Sequence, residues 1–315
     1  MKIAFMFPGQ GSQIVGMGKD VYDNYEEARN IYKKASEILG VDISKLCFES
    51  SQEELNRTSN TQIAIAVTSL AILEVLKKRN INADISVGLS LGEYVALINS
   101  GYITFEDGLK LLQKRGNLME TKIPNDTYLM AAIIGLKSEI IEEVCKNVSN
   151  SNNMEFVVPA NYNYSDQTVI SGTAAGVKKA IELLKEKGAK RAIPLKTSGP
   201  FHTSKLQEAK ELFSKELEKV EINKTNLKSK VIKNIDGSFY TDSDNMQEIL
   251  ANHIVSAVRF DKTIELMRNE GVDTFIEIGP GKAVTGFVKK ELKGLDIKGF
   301  SVSNVEEIEN LINSL

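Results

Sequence analysis

The spacing of apolar positions changes character several times along the chain. Ile3 to Phe7 is an unbroken apolar run ending at Pro8-Gly9, the pattern of a short strand buried on both faces. The glycine-rich stretch PGQGSQIVGMG follows it. Helical spacing dominates from Val21 to Leu39 and from Gln62 to Lys78, and DISVG then predicts a second short strand. After it, Leu91, Val95 and Ile98 fall on one face of a helix. Strands that alternate with helices predict a parallel sheet covered on both sides.

The middle of the chain has another rhythm. YLMAAIIGL predicts a strand, KSEIIEEVCKNV a helix, MEFVVPAN and QTVISG two closely spaced strands, AAGVKKAIELLKEKG a helix and KRAIPLK a last strand. From about Tyr128 to Lys196 the order is β-α-β-β-α-β, the split, ferredoxin-like unit. FIEIGPGKAV then predicts another buried parallel strand running into a glycine turn and a helix. The reading is an α/β core in two stretches, 1–126 and 197–315, interrupted by a compact α+β insertion at 127–196.

Composition narrows the function. The chain has 315 residues, 42% hydrophobic and 26% charged, with 39 basic and 42 acidic residues for a net charge of −3. That balance makes no overall case for nucleic acid as a partner. Cys47 and Cys145 form no disulfide framework and have no metal-ligand spacing around them, so a cytoplasmic protein without a metal site is expected. The first apolar run is shorter than a signal-peptide core, and no segment is expected to be long enough to span a bilayer.

Four places carry candidate chemistry. Gly88-Leu89-Ser90-Leu91-Gly92 is a G-x-S-x-G pattern between a predicted strand and a predicted helix, the context of a nucleophile elbow. The alternative is a glycine turn with Ser90 as a helix cap. A nucleophilic serine needs a base, and the chain holds only two histidines, His202 and His253. His202 lies in TSGPFHTSKL, a rigid turn suited to aiming a side chain. The glycine loop fails as a phosphate-binding loop, because Met17 stands where lysine belongs. Gln10, just past a strand end, is a better oxyanion donor through its amide group, together with the Leu91 backbone amide. Arg115 shares a helix face with Leu112 and Met119, and a buried arginine needs an ion-pair partner or a bound carboxylate.

Together these pieces resemble the malonyl-CoA:acyl-carrier-protein transacylases of fatty acid synthesis. FPGQGSQ is similar to that family's N-terminal loop, GLSLGEY to its elbow, QKRGNLM to its arginine helix and GPFHT to its histidine loop; NYNYSDQTVISG and EIGPGK match two further stretches. The resemblance covers essentially the whole chain. It implies a hydrolase-like parallel-sheet core with a ferredoxin-like insertion, malonyl-CoA as substrate, acyl carrier protein as partner, no cofactor, no membrane and a monomer. It assigns Ser90 as nucleophile, His202 as base, Arg115 as carboxylate clamp, and Gln10 with the Leu91 amide as oxyanion hole. Two positions depart from the pattern: Leu89 stands where the family usually has histidine, and His253 where it usually has glutamine. The resemblance gives His253 a main-chain carbonyl that orients His202, with an incidental side chain. A serine thioesterase or hydrolase, with Asp236 or Asp261 orienting His202, is the competing enzyme; a non-catalytic carrier-binding subunit is the competing non-enzyme.

Overall fold

The computed structural model describes residues 1–151, 155–197 and 199–315. Its strands are β1 (Ile3–Phe7), β2 (Ile85–Gly88), β3 (Tyr128–Ile134), β4 (Val157–Tyr164), β5 (Gln167–Thr173), β6 (Arg191–Pro194), β7 (Lys230–Val231), β8 (Val258–Arg259), β9 (Thr274–Ile278) and β10 (Lys298–Val302). The continuous apolar runs become the interior of a five-stranded sheet in the order β10-β9-β1-β2-β7. Every pairing in it is parallel, with Ala4 opposite Ile85 on one edge of β1 and Ile3 opposite Thr274 on the other. All of β1, β2 and β9 is buried, as a strand covered by helices on both faces must be.

The second sheet has the order β6-β3-β5-β4-β8. Its first four strands are antiparallel neighbours with helices Ser138–Ser151 and Ala174–Glu186 between them in sequence, the ferredoxin-like arrangement the middle rhythm predicts. The fifth strand, β8, comes from well beyond residue 196 and pairs parallel with β4, Asn161 opposite Val258. The insertion is thus laced to the C-terminal part of the core. The strand predicted from MEFVVPAN begins at Met154, which lies outside the described residues; its described part enters β4.

Two expectations are corrected. The helical pattern from Val21 to Leu39 is two helices, Lys19–Asn24 and Glu26–Leu39, broken at Tyr25. Tyr25 has extended backbone; its hydroxyl donates to Glu309 at 2.6 Å and its ring lies under the Arg79 guanidinium at 4.8 Å. The other concerns length: helix Thr58–Lys77 has 20 residues and a mean hydropathy of 1.4, enough to cross a membrane by those measures. It is instead the central core helix, with 83% of its apolar window buried in the protein.

Candidate active site

β2 ends at Gly88 and the next helix begins at Gly92, so only three residues make the turn, with Ser90 at its apex. Ser90 has φ of 55°, the left-handed region that a residue with a side chain occupies only under constraint. The flanking glycines are explained by contact. A Cβ on Gly88 would lie 1.9 Å from the Gly92 carbonyl carbon, and one on Gly92 would lie 2.4 Å from the Phe7 oxygen. Only glycine fits either place, so the pattern is an elbow. Ser90 is not a helix cap: the cap position is Leu91, and it makes no side-chain capping bond. The Asn234 side chain clamps the turn, its Oδ1 accepting from the Ser90 N–H at 2.8 Å and its Nδ2 donating to the Gly88 carbonyl at 2.7 Å.

His202 Nε2 lies 2.9 Å from Ser90 Oγ. His202 itself sits at φ 59°, so the turn of GPFHT is as constrained as the elbow. Its Nδ1 is 3.0 Å from the His253 carbonyl and 3.1 Å from the Ser256 carbonyl. Carbonyls only accept, so Nδ1 carries the proton and the Nε2 lone pair faces the serine hydroxyl. Neither aspartate weighed for this place reaches it. Asp236 accepts from the Ser238 N–H and hydroxyl, and Asp261 forms a two-pronged pair with Arg259. The hydrolase-type triad therefore lacks its expected acid. Burial pushes the His202 imidazole well below the ordinary histidine value of 6.5, with further depression from His253 and Arg115, so the ring is the neutral form a base requires.

Arg115 is 1% exposed. Its Nη1 donates to Gln62 Oε1 at 2.8 Å and its Nη2 to Ser90 Oγ at 3.0 Å, and its carbon lies 5.5 Å from the Tyr94 ring centre. Among the described residues no carboxylate forms an ion pair with it. The structural ion pair weighed from sequence is absent. A guanidinium keeps its charge even when burial lowers its pKa, as here, so the site holds a desolvated cation beside the serine. Gln62, missed in the sequence, is the buried polar side chain that opens the apolar run QIAIAV on the largely buried helix Thr58–Lys77; such an amide needs a partner.

The Gln10 side-chain amide donates to Thr58 Oγ1 at 3.3 Å. The main-chain N–H groups of Gln10 and Leu91 meet no acceptor among the described residues, and both residues line the same cleft as Ser90. The cleft has a volume of ≈ 380 Å³ and lies between the two sheets. Gln10, Ser90, Arg115 and His202 line it, together with the apolar Met130, Ala132, Val169 and Leu195. Leu89 also faces the cleft.

The His253 carbonyl accepts from His202 Nδ1, and its imidazole lies inside the protein. The ring is fully buried, 5.1 Å from the His202 ring at 33°, and its Nδ1 is 3.0 Å from Glu93 Oε2.

The acyl transferase domain family model matches residues 4–309. A malonyl CoA-acyl carrier protein transacylase of Bacillus subtilis strain 168 is 43% identical, covering 100% of this chain and 97% of that protein. The crystal structure of a malonyl CoA-acyl carrier protein transacylase from Clostridium perfringens is 44% identical, with a TM-score of 0.93 and coverage of 100% of this chain and 97% of the other. A malonyl-transacylase solved in complex with its type II PKS acyl-carrier protein is 32% identical, with a TM-score of 0.94 and full coverage of both chains.

Proposed function

The chain belongs to the acyl transferase domain family, and from that membership we propose that it moves a malonyl group from malonyl-CoA to the phosphopantetheine thiol of acyl carrier protein, through a malonyl ester on Ser90. The observation that supports this reading over hydrolysis is Arg115, a buried cation that no carboxylate pairs with among the described residues, 3.0 Å from the nucleophile. A cavity that keeps an unpaired guanidinium is built for a substrate that brings its own carboxylate.

The chemistry follows from the contacts. His202 Nε2 takes the Ser90 Oγ proton as Oγ attacks the thioester carbonyl. The tetrahedral oxyanion is held by the main-chain N–H groups of Gln10 and Leu91. The C–S bond breaks, coenzyme A takes the proton from Nε2, and the malonyl ester remains. The carrier thiol then gives its proton to Nε2, attacks the ester, and the steps reverse. Arg115 turns from Oγ to the malonyl carboxylate, holding it with a two-pronged pair. The two carbonyls on Nδ1 hold the tautomer but carry no full charge, which suits a reversible exchange between thiols of similar energy. Every group comes from one chain, and no cofactor enters. The two free, buried cysteines support a cytoplasmic location.

Intact-mass measurement after adding malonyl-CoA tests the reading. A malonyl adduct that persists until acyl carrier protein is added is expected. Rapid return to free enzyme with free malonate would make it a hydrolase; no adduct at all would make it a non-catalytic carrier-binding subunit.

Arg115→Ala is expected to slow malonyl transfer far more than acetyl transfer, because a lost desolvated charge pair costs on the order of 2–5 kcal/mol. Arg115→Lys should recover only part, since an ammonium cannot reproduce the fork. Paired kcat/KM values for the two acyl-CoAs decide it: equal losses would mean that Arg115 is structural.

A further inference from the structure

Glu93 follows the elbow by three positions and is 1% exposed. A carboxylate so buried is costly unless its oxygens are matched by donors. All its partners come from the C-terminal third. Oε1 accepts from the Tyr240 hydroxyl at 2.7 Å and from the Asn234 N–H at 3.4 Å. Oε2 lies 3.0 Å from His253 Nδ1, off the hydrogen-bond axis.

Two of these partners hold the reacting side chains. Asn234 clamps the backbone of Ser90 through its side chain. His253 presents the carbonyl that fixes the His202 ring. One buried carboxylate thus touches both the residue that holds the nucleophile and the residue that holds the base.

We propose that Glu93 is a positioning residue for both halves of the catalytic pair, seating Asn234 and the His253 ring so that Ser90 Oγ and His202 Nε2 meet at 2.9 Å. The proposal rests on the Ser90–His202 reading above. Glu93 touches neither reacting atom and acts only through its neighbours. Removing its charge should leave malonyl-CoA binding to Arg115 intact and disturb the alignment of serine and imidazole.

Glu93→Gln keeps the shape and loses the charge. It is compared with the parent in malonyl transfer and in the NMR spectrum of the ring nitrogens. Because the chain has only two histidines, a His202→Ala sample assigns the His202 Nδ1–H signal. In a folded Glu93→Gln protein, kcat should fall about tenfold or more with KM for malonyl-CoA little changed, the size expected for a lost buried contact to a charged group. The His202 Nδ1–H resonance should shift or broaden. A folded variant with kcat within about twofold of the parent, or with the resonance unmoved, overturns the proposal. A loss confined to KM overturns it too. If Glu93→Gln does not fold, Tyr240→Phe decides, since it removes one donor from the carboxylate and leaves the charge. A fall in kcat of about threefold or more with a moved resonance supports positioning, and parent-like values in both reject it. A parent that transfers no malonyl group overturns the proposed function instead, and the resonance alone then decides whether Glu93 seats His202.

Discussion

Replacing Ser90 with alanine is expected to abolish the malonyl adduct and to lower transfer by roughly three to six orders of magnitude, because nucleophile and base act as one unit. Ser90 Oγ is the atom on which Arg115 Nη2 and His202 Nε2 converge, at 3.0 Å and 2.9 Å. The fold should survive. The bonds that set the turn are made by the Ser90 backbone and by Asn234, and none of them uses Oγ. The variant does leave the Arg115 Nη2 donor unmatched inside the cleft. Circular dichroism and a thermal melt check the fold, and mass after malonyl-CoA addition checks the adduct. Malonylation at a near-normal rate by a folded variant would show that the elbow serine is not the nucleophile.

His202→Ala carries the second large effect. Loss of a positioned base should slow acylation about 10²–10⁴-fold. The pH dependence should change in form as well. In the parent, burial above all, with His253 and Arg115 adding to it, disfavours the His202 imidazolium, so the acid limb of acylation should lie below the ordinary histidine value of 6.5. The variant should lack that limb. The same shift has a sign for stability. Below 6.5 the unfolded chain binds a proton at His202 that the native site resists, so stability falls as the pH drops toward the depressed native value. Denaturation curves between about pH 7.5 and pH 5 should show the parent losing stability through a contribution the variant lacks. Identical acid limbs in parent and variant would assign the base elsewhere, and His253 is the only other histidine.

The parts of the site legible in the sequence are those that sterics or scarcity determine. Gly88 and Gly92 were readable because crowding at a strand-to-helix turn leaves room for nothing larger. His202 was readable because there were two histidines to choose from. Arg115 was readable from its neighbours on one helix face, and the structure added that no carboxylate among the described residues pairs with it. The supporting groups were not legible. Asn234 acts across the fold on Ser90, a distance that no local period encodes. Glu93 looks like an ordinary first-turn acid favoured at a helix N-terminus, and only the packing of Asn234, Tyr240 and His253 around it shows otherwise. In the fold, the long periodic segments were readable. The two-residue strands β7 and β8 are too short to have a period, and β8 exists because the neighbouring β4 offers it an edge.

The seating of β1 between β2 and β9 also governs how the protein is made. One edge of β1 is closed early in synthesis, by residues near position 85; the other waits for Thr274. Until then the growing chain carries a central strand with an open apolar edge, a hazard for pairing with other chains and a reason for slow completion. The same delay falls on the chemistry. Ser90 and Arg115 leave the ribosome long before the carbonyls of His253 and Ser256 that set the His202 tautomer. A nascent chain therefore holds its nucleophile without an aimed base until the segment carrying His253 and Ser256 has docked.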